Sequence, residues 1–361
     1  VTTDVETVCT SLEPALVGSI LGTAVGDAIG LPYEGLSRRR GQKVLGVPDR
    51  HRLFLRWGMV SDDTEQTCLV AQALIESFGD VGQFQRRLLR RLQGWFLTLP
   101  AGVGLGTLRA ISKSLIGFPP HRCGVFSAGN GPSMRSAILG AAIDDPRLLR
   151  ELVKASCTIT HTDPKAFFGA WAVAVAANLA RRESVVEAAE YFTTVQQVLR
   201  EESAGEFLRL LEPVVQSVQQ GQSTTEFAIS SGMGKGISGY VYHTVPVALQ
   251  AWLTNQNNFR QAIVGVIQCG GDTDTTAAIV GGIVGTHVGK AGIPQEWVNE
   301  LLEWPRTAAW MEQLGKQLAR VVATSQPETP VSLPLAGVLA RNAAFLSIVL
   351  SHGFRRLLPP Y

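Results

Sequence analysis

The chain has 361 residues, 45% of them hydrophobic and 17% charged, with a formal net charge of +2. The size allows one large core or two ordinary domains, and the low charged fraction points to much interior. Near-neutral charge excludes a basic nucleic-acid stripe: Arg38, Arg39 and Arg40, like Arg86, Arg87, Arg90 and Arg91, read as solvated faces.

In chain order, residues 11–30 read as a buried helix of small residues ending at Gly30-Leu31-Pro32, and 35–58 as irregular. Helical spacing follows over 64–78 and 81–98, with Asp62 and Asp63 just ahead of the first. A glycine-alternating loop at 101–106 enters a helix at 107–115, and a second loop at 117–132 enters one at 133–142. Further helices are predicted at 147–159, 164–182, 184–198 and 201–218, then a long irregular connection at 219–243. Helices at 244–253 and 258–268 precede a tight loop, Gly270 to Asp274, which opens a small-residue helix at 275–289. A last body helix is predicted at 293–317. Alternating strand patterns are few, so the fold class is all-α.

The domain expected is 12–320, followed by a linker over 321–330 and an apolar extension over 331–361 that can pack on the body, on a second subunit or on a membrane surface. Charged residues interrupt each apolar run, Asp27 in the first and Arg341 in the last, so no transmembrane span is expected. The five cysteines, Cys9, Cys68, Cys123, Cys157 and Cys269, form no CxxC pair. A reducing, cytoplasmic compartment is the simplest reading. The oligomeric state is not legible.

Two acidic motifs carry chemistry: Ser61-Asp62-Asp63-Thr64 and Gly271-Asp272-Thr273-Asp274-Thr275. Each sets two carboxylates and neighbouring hydroxyls at a helix entrance. That donor set suits hard divalent cations, magnesium or manganese, rather than zinc. Either motif alone is ordinarily a helix cap. Convergence of both makes a metal the natural counter-charge, because four buried carboxylates repel. Two metals can acidify a water or polarise a sugar oxygen, and Glu34 is a candidate for proton transfer beside them.

At these residues the chain resembles the ADP-ribosylglycohydrolases, over roughly residues 12–320. The resemblance lies in Gly22-Thr23-Ala24-Val25-Gly26-Asp27-Ala28-Ile29-Gly30, the two acidic motifs, and Gly129-Asn130-Gly131-Pro132-Ser133-Met134-Arg135. It implies a compact orthogonal multi-helix fold with a dinuclear magnesium or manganese site in a cleft. It assigns Ser61, Asp62, Asp63, Asp272, Asp274 and Thr275 as metal ligands, with serine at position 61 where the family often has threonine. Asp62, Asp63, Asp274 and Glu34 become the catalytic candidates, with no sole general base among them.

Glu34 matches an acidic position near the substrate entrance. Gly102, Gly104 and Gly106 match a segment that approaches the ADP-ribose phosphates, and Gly129, Asn130 and Gly131 a loop that shapes the ribose and phosphate pocket. Phe126 and Ser127 precede that loop as nucleotide contacts, and His161 matches a segment near the distal part of the ligand. Met134 is expected to pack beneath the loop and Arg135 to hold neighbouring carbonyls or acids. The implied partner is an ADP-ribosylated protein or a small ADP-ribose conjugate, with no nucleic acid. Arginine leads as acceptor, with serine and O-acyl adducts as alternatives. A two-metal phosphoesterase and a non-catalytic ADP-ribose-binding or structural protein are the competing classes.

Overall fold

The computed structural model describes residues 2–199 and 203–356. It is all-α apart from one two-residue strand pair, Leu36–Ser37 with Gly270–Gly271, antiparallel in the register Leu36 to Gly271. The helices of eleven or more residues are α1 (Thr2–Gly30), α2 (Asp62–Ser77), α3 (Val81–Leu97), α4 (Leu105–Leu115), α5 (Pro146–Thr158) and α6 (Pro164–Arg182). They continue with α7 (Ala188–Leu199), α8 (Gly205–Gln219), α9 (Val241–Thr254), α10 (Thr273–Gly292), α11 (Ala308–Thr324) and α12 (Leu335–Arg356).

The spine is α1 against α10. Gly18, Gly22, Gly26 and Gly30 recur every four residues, so they lie on one face of α1. A Cβ at Gly22 would stand 2.1 Å from the Gly281 carbonyl oxygen, and one at Gly26 2.1 Å from that of Ala277. The helices therefore touch backbone to backbone, which a side chain at these positions forbids. The contact runs to the end of both elements, where the Thr273 hydroxyl donates to the Gly30 carbonyl at 2.9 Å. It thereby fixes the start of α10 beside the end of α1. Leu16, Ile20, Leu21 and Ile279, Ile283 bury the flanks.

Three differences from the sequence reading have clear causes. The helix expected over 293–317 is two helices, Gln295–Asn299 and α11, separated by a loop. In that loop Gly58 and residues 300–302 exchange backbone hydrogen bonds, and Pro305 has no amide to continue a helix. The helix expected over 133–142 is two short turns, Gly131–Met134 and Ala137–Ala142. Within the connection at 219–243, Thr224–Ser230 is helical under a Ser223/Glu226 capping box.

The segment after Gln326 packs on the body. The Glu328 amide bonds the Ile75 carbonyl, and the Gln72 side chain donates to the Val331 carbonyl at 2.7 Å. Helix α12 is held by its polar residues. Arg341 donates to the Glu303 and Glu65 carboxylates and to the Val60 carbonyl, while Asn342 donates to the Thr98 carbonyl at 2.9 Å. Two stretches among the described residues are long and apolar enough to cross a membrane by length and composition. Val8–Tyr33 is 94% buried within the protein, whereas Leu335–Phe354 is 22% buried.

Candidate active site

The starts of α2 and α10 face each other across a cavity of about 580 Å³. That is the size of a small-ligand site. Its lining includes Glu34, Ser61, Asp62, Asp272, Asp274 and Thr275, with Asp63 directly behind. Asp62 and Asp63 lie inside the first turn of α2, and Ser61 is its N-cap. The helix thus begins two residues earlier than its apolar periodicity suggests.

Convergence of the two motifs rests on one contact. The Thr275 hydroxyl donates to Asp63 Oδ2 at 3.2 Å across 212 positions of sequence, and the Ser61 hydroxyl donates to the same oxygen at 2.9 Å. The other oxygen, Asp63 Oδ1, is buried with no hydrogen-bond partner. Burial raises the pKa of Asp62, Asp63, Asp272 and Asp274 above the usual carboxylate range. Mutual repulsion among neighbouring acids, Asp27 and Glu34 included, adds to the rise at Asp62 and Asp274.

A fifth aspartate, not assigned to the site from sequence, supports this group. Asp27 is fully buried in α1 and accepts from the Ser61 amide at 2.9 Å, the Thr64 amide at 3.2 Å and the Thr64 hydroxyl at 2.6 Å. It caps the entrance of α2 from a separate helix. Burial pushes its pKa up to about 7, against the opposing hydrogen bonds of Thr64 and Ser61. Its signal in the sequence was a lone charge inside a small-residue apolar helix, which needs partners.

Glycines clamp the second motif from both sides. Gly271 has φ of 86°, and a Cβ there would meet the Ile237 carbonyl oxygen at 2.0 Å. The Gly35 amide bonds the Gly271 carbonyl at 2.7 Å and the Asp272 amide bonds that of Ile237 at 2.8 Å. Residues 237–239 therefore line the cavity. Within the connection expected to be irregular, Gly239 also accepts from the Asn130 amide at 3.0 Å. The Asn130 side chain donates to Asp272 Oδ2 at 2.7 Å and to the Thr244 hydroxyl at 2.9 Å.

Gly104, Gly106, Ser127, Gly129, Gly131 and His161 also line the cavity, as does Gly102, where a Cβ would lie 3.8 Å from Asp62 Oδ1. A Cβ on Gly106 would stand 2.7 Å from the His161 ring and force it to shift, while one on Gly129 or Gly131 would crowd it at 3.0 or 3.2 Å. Burial, then the Arg135 guanidinium, lowers the His161 pKa to about 3. The ring is neutral at working pH and acts through hydrogen bonding rather than charge. Met134, expected to pack beneath the loop, is 4% exposed and belongs to the cavity lining.

Arg135 is fully buried and links the Asp62 and His161 groups. It donates to Gln66 Oε1 at 2.7 Å, to the Gly131 carbonyl at 3.3 Å and to the Thr160 hydroxyl at 2.8 Å. Gln66 in turn donates to Asp62 Oδ2 at 3.0 Å, and Thr160 Oγ1 meets His161 Nδ1 at 2.9 Å. Besides Asp63, which sits behind the wall, Phe126 is the assigned residue left outside the lining. It is 81% exposed, because Val125 bridges to residues 160–162 and turns the next side chain outward.

Among the described residues no three Asp, Glu, His or Cys side chains are already gathered into a metal-holding cluster. The oxygens present still suit a hard cation. Asp63 Oδ1 has no partner, four carboxylates are destabilised by burial, and Ser61 and Thr275 hydroxyls stand among them.

The chain is similar to known proteins in sequence and fold. The ADP-ribosylglycohydrolase family profile matches residues 10–328. The chain is 25% identical to human ADP-ribosylhydrolase ARH3, over 85% of this chain and 93% of that protein. It is 28% identical to ADP-ribosylarginine hydrolase Tri1 of Pseudomonas putida, over 83% and 75%. A solved structure described as an ADP-ribosylglycohydrolase-related protein complex shares the fold at TM-score 0.62 and 24% identity, covering 87% of this chain and 99% of that one. The chain belongs to the ADP-ribosylglycohydrolase family, hydrolases of ADP-ribose protein modifications.

Proposed function

From that membership we propose that the chain hydrolyses the glycosidic bond between ADP-ribose and a modified protein side chain, with arginine as the first acceptor. Ser61, Asp62, Asp63, Asp272, Asp274 and Thr275 would hold two divalent cations, magnesium or manganese. The observation that carries the reading is the Thr275 to Asp63 hydrogen bond at 3.2 Å, which joins both acidic motifs on one cavity. The bound cations would acidify a water and polarise the ribose hydroxyls.

The protein's own groups do the rest. Backbone at Gly102, Gly104, Gly106, Gly129 and Gly131 admits the diphosphate closely, and the neutral His161 ring offers it a hydrogen bond. Asn130 orients Asp272, and Asp27 holds the α2 entrance rigid. Raised pKa values let Asp62 or Asp274 pass a proton as the C1 bond breaks, with Glu34 at the same cavity as a further proton-transfer candidate. The name of the Pseudomonas relative favours arginine; serine and O-acyl conjugates are the alternatives.

The test offers the purified chain arginine-, serine- and O-acyl-linked ADP-ribose with magnesium or manganese and identifies the product. Free ADP-ribose and intact acceptor are expected, with turnover abolished in Asp62→Ala and Asp274→Ala. AMP release would instead indicate a phosphoesterase, and binding without turnover a non-catalytic member. Normal activity in both variants would remove the proposed centre.

A further inference from the structure

The family profile ends at residue 328, yet α12 begins at Leu335 and reaches the cavity. Phe345 and Val349 belong to its lining. Phe345 is 2% exposed and clusters with Leu31, Leu53 and Met59, with Ala101 and the half-buried Val349 against them. These neighbours border the chemistry. Leu31 is three residues before Glu34, Met59 two before Ser61, and Ala101 adjoins Gly102. The anchor is stiff: the buried Arg341 guanidinium lies 4.3 Å over the Phe345 ring and is itself bonded to Glu65 and Glu303.

The cavity lining therefore combines a polar group and an apolar one. His161 sits among Gly106, Gly129 and Gly131, with Ser127 and Asn130 also in the lining, whereas Leu31, Ala101, Phe345 and Val349 pack together. A diphosphate pressed on the apolar wall would lose its hydration without replacement. The diphosphate thus takes the polar group of the lining, which leaves the apolar wall of α12 to the leaving group.

We propose that Phe345 and Val349 are specificity-determining residues that receive the leaving group and favour acceptors with an aliphatic stem. This deepens, and rests on, the reading that ADP-ribose fills this cavity. An arginine side chain lays three methylenes along the wall and carries its cation toward Glu34. A serine acceptor has one carbon and leaves the wall uncovered. Aliphatic contact of this kind separates substrates through transition-state binding.

The experiment uses the full chain with magnesium and two peptides of equal flanking sequence, one ADP-ribosylated on arginine and one on serine. Val349→Ala is expected to lower kcat/KM on the arginine conjugate about tenfold, mainly through KM, with about a twofold change or less on serine. Phe345→Leu should act in the same direction. Free ADP-ribose, which lacks an acceptor, should bind both variants with wild-type affinity in calorimetry, which also reports that they are folded. Equal losses on both conjugates, no loss on either, weakened ADP-ribose binding, or a wild-type preference for serine would each overturn this inference alone. A wild-type chain that cleaves neither conjugate would defeat the functional reading and this inference with it.

Discussion

Arg341→Met removes the cation that ties α12 to the active-site helix. Arg341 is 4% exposed and its guanidinium meets Glu303 at 2.5 Å and Glu65 at 3.2 Å. The two acids would be left unequally supported. Glu65 keeps Arg306 at 2.9 Å and the Trp95 indole at 2.5 Å. Glu303, fully buried, keeps only the Val60 amide at 2.7 Å. Leaving one member of a buried pair uncompensated costs about 3–5 kcal/mol. At about 2 °C per kcal/mol for a large chain, the midpoint should fall by roughly 6–10 °C in calorimetry. Arg341→Met with Glu303→Gln should recover more than half of that loss, because no unpaired charge then remains. A single variant within about 2 °C of wild type, or a double variant no more stable than the single, would refute the argument.

Two further outcomes test the spine and the acidic centre. Gly22→Ala places a methyl group 2.1 Å from the Gly281 carbonyl oxygen and should destabilise by at least about 3 kcal/mol in chemical denaturation. Gly94→Ala, on the exposed side of α3 with open space, should instead stabilise by up to ~1 kcal/mol; equal effects would sink the close-approach reading. Asp27, raised to about 7, makes the folded chain bind more protons than the unfolded one from about pH 4 to pH 7, and the other raised aspartates act in the same direction, so without added cation their contribution falls as pH rises. His51 and His161, lowered by burial, contribute the opposite slope below 6.5. Subtracting melting curves with and without magnesium cancels the histidines. The stabilisation by cation should grow from about pH 5 to pH 7.5, and a pH-independent difference would count against a cation at these carboxylates.

Local chemistry made much of this protein legible. The 3.6-residue period announces an all-α chain, and the small residues of 11–30 announce a buried helix. The SDDT and GDTDT motifs announce oxygen donors at two helix entrances, because capping and donor type are properties of adjacent residues. The partners at a distance were not legible. Nothing near Asp27 states that its carboxylate closes the first turn of α2 from another helix, nor that residues 237–239 clamp Gly271. Arg341 read as an interruption in an apolar tail until its buried acids, 38 and 276 positions away, were in view. Helix entrances, donors and periods are written in the sequence because neighbours along the chain create them. Which entrances meet, which buried charges cancel and which helix walls the cavity are decided only by packing. Those contacts join residues that no local rule relates.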